Sequence, residues 1–427
     1  MKTLFLRSVS TLEGVPRSFE RLLSPALWVI TLCLLGCTSP PPNRWADLTP
    51  LLHPSSKEWA TVLTQPEAFR AQIVVSEVSN DQTGKPMLKR MGYRVDAEYF
   101  YPASSIKLCA AVSALQKLDQ MEADHVGQDL TSVPIEIDPL FPGDAPQITD
   151  STHLSDGRIS IGHEIRKLCL VSDNQAFNRL FDFVGHEALN RGMHQLGLRS
   201  VVLNHRLSET RPIPSPLASA AVRLFPRLGS PILLPARVST LALSNTSRLV
   251  RVGKGFLQGT QLVSAPMDFT RRNGIRLMDL QDLLIKVVRP DIHLGTPPLK
   301  LQPNHRSLLV EAMTQYPKES NDPRYPEKDY PDEYGKFLLP GVRRVFPSQK
   351  PVERIQITGK IGRAYGFTVE NSYLRNPQNQ RAVFVTAVLY TNADGILNDD
   401  QYEYETLADP FFAQLGEWVA RHWLNDP

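Results

Sequence analysis

Apolar and polar positions along the chain follow two different periods, and the changes of period divide it. Residues 71–79 (AQIVVSEVS) and 86–95 (PMLKRMGYRV) are β-branched and apolar runs with NDQTGK between them, the pattern of two strands joined by a hairpin turn. Upstream of them, 46–66 has the spacing of a short helix broken at Pro54. From about Ser104 the period changes: Ile106, Cys109, Ala110, Val112, Leu115 and Leu118 recur at helical spacing. Signals then stay helical or loop-like to about residue 345, and 278–288 (MDLQDLLIKVV) is the clearest amphipathic helix. Two stretches, 211–236 and 317–347, are rich in Pro and polar residues, and YPKESNDPRYPEKDYPDEYG in the second is too polar and Pro-broken for a core element. Strand patterns return at 354–361, 365–374 and 382–391, and the chain closes on a helix carrying Leu407, Phe411, Phe412, Leu415, Trp418, Val419 and Trp423. Strands first and last with a helical block between them predict an α+β (α-β) domain. One mixed sheet is built from both chain ends, about 66–103 and 350–427, and a mostly helical subdomain of about 104–349 is inserted between them.

The N-terminus has a different character. Ala26 to Gly36 (ALWVITLCLLG) is an apolar run of eleven, too short for a final membrane span but suited to a signal-peptide core, and Lys2, Arg7, Arg17 and Arg21 precede it. It ends in LLGCTSPPPN, which resembles the lipobox of bacterial lipoproteins. Residues 1–37 are therefore expected to be a signal peptide with Cys37 as the lipidated first residue of the mature chain. Residues 38–48 are expected to be a Pro-rich tether, and 49–427 the folded domain. Export and a lipid anchor in a bacterial cell membrane, facing the periplasm or exterior, follow from that reading.

Composition narrows the function classes. A formal net charge of +3 over 427 residues gives no nucleic-acid surface, and the basic pairs Arg271-Arg272 and Arg343-Arg344 read as solvated faces. No metal site is expected, because HEALN (186–190) lacks the second histidine of His-Glu-x-x-His. No Gly-rich phosphate loop occurs, and no cofactor is implied.

Three short motifs carry chemistry. Ser104 and Lys107, in FYPASSIKLC, lie one turn apart at the start of a helix, close enough to hydrogen-bond. A lysine kept out of water has a depressed pKa and can take the hydroxyl proton. Ser172-Asp173-Asn174 is read either as helix-capping chemistry or as a second catalytic element. Lys360-Ile361-Gly362 follows on an expected strand.

In this order the three resemble the Ser-x-x-Lys, Ser-Asp-Asn and Lys-Thr/Ser-Gly motifs of the penicillin-recognising serine hydrolases, class A β-lactamases most closely, and the β-lactamase-like serine hydrolase branch in particular. The resemblance covers about 66–425 and implies a mainly antiparallel sheet. It makes Ser104 the nucleophile, Lys107 its proton acceptor and Ser172 the relay to the leaving nitrogen. Asn174 would hold a substrate amide, and Lys360 would supply positive charge. Beside Gly362, the N–H of Arg363 would form the oxyanion hole with that of Ser104. Two departures stand out. Ile361 replaces a hydroxyl residue that helps bind the drug's carboxylate. Glu209 is at about the spacing of the deacylating glutamate, but Ile213 takes the place of its partner asparagine, so Glu209 is either that base or a loop carboxylate. Cys109 and Cys169 each lie a few residues from a motif that must converge, which allows a disulfide between them.

The expected activity is a serine acyl-hydrolase of the class A type, opening a β-lactam or cleaving a cell-wall-like amide. Alternatives on the same fold are a D,D-peptidase and a non-hydrolytic protein that binds β-lactams or peptidoglycan-derived peptides.

Overall fold

The computed structural model describes residues 45–53, 56–125, 127–209 and 217–425. The expected signal peptide, Cys37 and most of the tether lie outside the described residues. No helix among the described residues is long and apolar enough to cross a membrane.

The main sheet has seven strands: β1 (Ala46–Asp47), β2 (Gln72–Asn80), β3 (Pro86–Tyr93), β4 (Gln356–Gly359), β5 (Gly362–Ala364), β6 (Phe367–Arg375) and β7 (Ala382–Tyr390). Their order is β1-β3-β2-β7-β6-β4, with β5 also paired to β6. Every pair is antiparallel except β1 with β3, which is parallel. The mixed, mainly antiparallel sheet drawn from both chain ends is thus present. Its strands β6 and β7 are buried almost end to end because both faces are covered. Val74, Phe384 and Val388 pack into the core under the helical subdomain, while their neighbours Ile73, Val75, Val383, Val385 and Leu389 pack into a second core. That second core is closed by α1 (Lys57–Thr64), α8 (Leu339–Val345) and α9 (Asp409–Val419).

On the other face lie α2 (Lys107–Ala123), α3 (Ile161–Leu170), α4 (Asn174–Val184), α5 (His186–Gln195), α6 (Leu277–Val288) and α7 (Pro303–Thr314). The inserted block is less purely helical than its pattern suggests. Short strands form small sheets at Ile135–Ile137, at Val222–Leu224 and Ile232–Leu234, and between residues 251 and 268. The Pro-rich 317–347 stretch also contains α8, whose Leu339 and Val342 are core residues.

Candidate active site

The nucleophile candidate stands where a tight turn becomes a helix. A 3₁₀ turn, Ala103–Ile106, runs directly into α2, and Ala103 takes the left-handed region with φ of 48°. Ser104 is half-buried at the N-terminal end, where backbone N–H groups have no partner within the helix. Lys107, one turn on, is fully buried.

Lys107 is turned towards the second motif. Its Nζ donates to the Ser172 carbonyl and, at 2.7 Å, to Asn174 Oδ1; it lies 3.2 Å from Ser172 Oγ. Ser172 reaches this position with φ of 60°, just ahead of α4. The capping reading holds only for Asp173, whose side chain accepts from Ala176 N at 2.8 Å and starts α4. The residues on either side of that cap face the lysine instead.

The third motif comes from the sheet edge. Strand β4 ends at Gly359 and β5 begins at Gly362, so Lys360 and Ile361 occupy a break in the edge rather than the continuous strand expected. Lys360 N still donates to Asn371 O at 3.0 Å, which keeps the residue in register, and its Nζ donates to Ser172 Oγ at 2.9 Å. Strand β5 runs hard against the Ser104 turn. A Cβ at Gly362 would lie 2.6 Å from Pro102 O and 2.7 Å from Ser104 N, so only glycine fits there.

Two lysines thus converge on one serine hydroxyl. Burial holds the Lys107 pKa well below the usual lysine value, the Lys360 charge lowers it further, and Asp173 opposes them. Burial also pushes Lys360 down, to about 8.

Ser104, Asn174 and Arg363 line both lobes of a cleft. One lobe, about 580 Å³, is walled by Tyr101, Tyr365, Tyr402 and Tyr404; the other, about 650 Å³, by Tyr334, Phe337 and Ile361. The Arg363 guanidinium pairs with Asp409 and stacks on Phe337 and Tyr404. Sequence reading missed this aromatic lining, for which the Tyr402–Tyr404 pair was the one visible signal.

Three expected residues stand elsewhere. Ser208, with φ of 54°, accepts from Asn174 Nδ2 at 2.8 Å, and the next residue, Glu209, lines a separate cavity with Arg179, Asp182 and Arg206. Cys109 and Cys169 are free, buried thiols rather than a disulfide. Cys109 is about 200° around α2 from Lys107 and lies near Asp279 of α6, whereas Cys169 lies near Lys360 and Lys336.

The cleft thus brings together a serine at a helix start, a buried lysine one turn on, and a second serine whose hydroxyl is approached by two lysines. Residues 57–248, which carry the first two motifs, match the model of the beta-lactamase enzyme family. No curated protein sequence matches the chain. Among solved structures it is similar to a beta-lactamase from Burkholderia vietnamiensis, at 13% identity over 86% of this chain and 97% of that one, with a TM-score of 0.45. A beta-lactamase from Xanthomonas campestris is similar at 17% identity, 88% and 98% coverage and a TM-score of 0.44. A class A beta-lactamase from Mycobacterium abscessus is similar at 14%, 85% and 97%, with 0.44.

Proposed function

We propose that the chain is a serine acyl-hydrolase that opens β-lactams or cleaves a cell-wall-like amide through an acyl-enzyme on Ser104, and that it releases the acyl group slowly. The observation that carries this reading is the environment of Lys107. As a neutral amine it has two N–H donors, which the Ser172 carbonyl and Asn174 Oδ1 take up, and one lone pair left for a hydroxyl proton. In the reaction Ser104 Oγ attacks the amide carbonyl and its proton passes to Lys107 Nζ. When the C–N bond breaks, the leaving nitrogen takes the Ser172 proton, which Lys107 replaces. Lys360 holds Ser172 in place and supplies positive charge for a substrate carboxylate. The N–H groups of Ser104 and Arg363 stabilise the oxyanion, a contribution of typically about 3–4 kcal/mol for each donor.

Slow release is supported by what surrounds the ester. Where Asn174 meets the loop after α5 it finds the Ser208 hydroxyl, which cannot act as a base. Asp409 is engaged by Arg363, and the other carboxylates lining the cleft, Glu333, Asp400 and Glu405, are exposed. Fluorescent penicillin should label the wild-type chain covalently and durably while nitrocefin turns over slowly, and Ser104→Ala should do neither. Absence of labelling would leave only a non-covalent binding protein; fast nitrocefin turnover would contradict slow release.

A further inference from the structure

The loop at 150–156, the first turn of α3 and the loop after α7 meet around two histidines and a carboxylate. His153, His163 and Asp322 each place one ligand atom within 4.8 Å of the others. His153 Nδ1 lies 3.4 Å from Asp322 Oδ2 and 3.6 Å from Asp156 Oδ1, and His163 Nδ1 lies 3.8 Å from Asp322 Oδ1. These separations exceed the N–H···O range of about 2.7–3.2 Å; the hydrogen-bond partner of His153 Nδ1 is Ser155 Oγ at 2.8 Å, which a metal ion bound at Nδ1 would displace. They lie close to the edge of a tetrahedron around a metal ion with bonds of about 2.0–2.1 Å, an edge of about 3.3–3.4 Å. The Asp119, Glu122 and His305 cluster is a useful contrast, because there His305 Nδ1 is in direct hydrogen-bond contact with Asp119.

Proton counting gives a second, independent observation. Lys167 and Arg179 both pair with Asp150, which keeps it an ionised, acceptor-only group. Thr152 Oγ1 donates its single proton to Asp150 Oδ1 at 2.7 Å. His163 Nε2 lies 3.0 Å from the same hydroxyl oxygen and must therefore be the donor. In the neutral ring its Nδ1 then carries a lone pair that faces a carboxylate oxygen, in a side chain only 3% exposed. Lone pair against carboxylate is repulsive unless a cation lies between them. Donation of the outer ring N–H to a fixed acceptor is also the usual arrangement of a metal-ligating histidine.

We propose that His153, His163 and Asp322 form a binding site for a divalent transition metal, zinc above all, with Asp156 or water as the fourth ligand. Two imidazoles and a carboxylate suit zinc, and the soft thiolates that would favour other ions are not in the cluster. The site has a structural consequence for the cleft. Asp322 begins the loop whose Pro331, Glu333 and Tyr334 wall the larger lobe, so a bound ion fastens the foot of that wall to the segment leading into α3.

The test uses the full, untagged chain, stripped with a chelator and titrated with zinc against a chromogenic competitor. It does not depend on the activity proposed for Ser104. One zinc per chain, bound at micromolar affinity or tighter, is expected. Thr152→Val, which removes only the outer partner, should weaken it roughly 10–100-fold. His153→Ala and Asp322→Asn should weaken it at least as much, and both alter partly exposed residues, so the core stays intact. Zinc should raise the melting temperature of the wild type and not of these two variants. No uptake at millimolar zinc, or equal uptake by the wild type, His153→Ala and Asp322→Asn, would overturn the proposal.

Discussion

In the proposed reaction the two buried lysines need opposite protonation states, and the residue scale is where this becomes measurable. Lys107 must be neutral to accept the Ser104 proton, and burial followed by the Lys360 charge favours that state. Lys360 must be charged to attract a carboxylate, yet burial has brought its pKa to about 8. Acylation should therefore rise with pH as Lys107 loses its proton and fall again as pH passes about 8 and Lys360 loses its own. Lys360→Arg keeps the charge at every working pH, so the alkaline limb of kcat/KM for a carboxylate-bearing β-lactam should disappear even if the rate drops. A limb unchanged in that variant would assign it to another group. Gly362 belongs to the same scale. The atoms that an alanine Cβ would meet there are backbone atoms of the nucleophile turn and cannot rotate away, so Gly362→Ala must push β5 off Ser104. Displacement approaching 1 Å costs about a hundredfold in rate. Acylation should fall by about that factor with the melting temperature little changed, and an acylation rate like wild type would refute the close packing.

Among the elements, α3 and α4 present the Ser172 loop, and a buried charge network binds them. Arg179 of α4 pairs with Glu164 of α3 at 3.1 Å and with Asp150 at 2.7 Å, while Lys167 of α3 also reaches Asp150. Burial raises the Glu164 pKa, with Arg179 as the largest opposing influence, so without that guanidinium the carboxylate would be stranded. Arg179→Ala should cost about 3–5 kcal/mol in urea unfolding, the usual penalty for breaking a buried pair. A loss below about 1 kcal/mol would mean that the network is solvated. Helix α9 and the central strands were legible in the sequence because burial writes a pattern: on one face for α9, on both faces for β2, β6 and β7. The strands of the inserted block were not, because they are two to four residues long and half-exposed, as at Leu233 and Val238. Helix α8 was hidden for another reason. Its Gly341 fits directly against the Ala413 carbonyl of α9, so close helix packing takes the place of an apolar stripe.

Across the whole molecule the site is assembled from parts far apart in the chain, and this sets what motif spacing can reveal. Ser104, Ser172 and Lys360 were readable because each motif is local and carries its own chemistry. The tyrosines of the cleft were not, since residues 101, 365, 402 and 404 meet only once the sheet closes. Glu209 shows the limit most sharply. Its distance along the chain from Ser172 suggested a deacylating base, but spacing does not say which way a loop residue turns. Asn178 of α4 hydrogen-bonds both Leu207 N and Leu207 O, which fixes the loop at that point. Ser208 then takes a left-handed turn towards Asn174, and Glu209 goes to the cavity with Arg179 and Arg206. A base must reach the water that attacks the ester, directly or through one intervening water. Glu209→Gln should therefore leave both the nitrocefin turnover and the lifetime of the Ser104 adduct at wild-type values, followed by intact-protein mass spectrometry after a pulse of β-lactam. Accumulation of the adduct in Glu209→Gln alone would return the deacylating role to that glutamate and require the loop to turn over during the reaction.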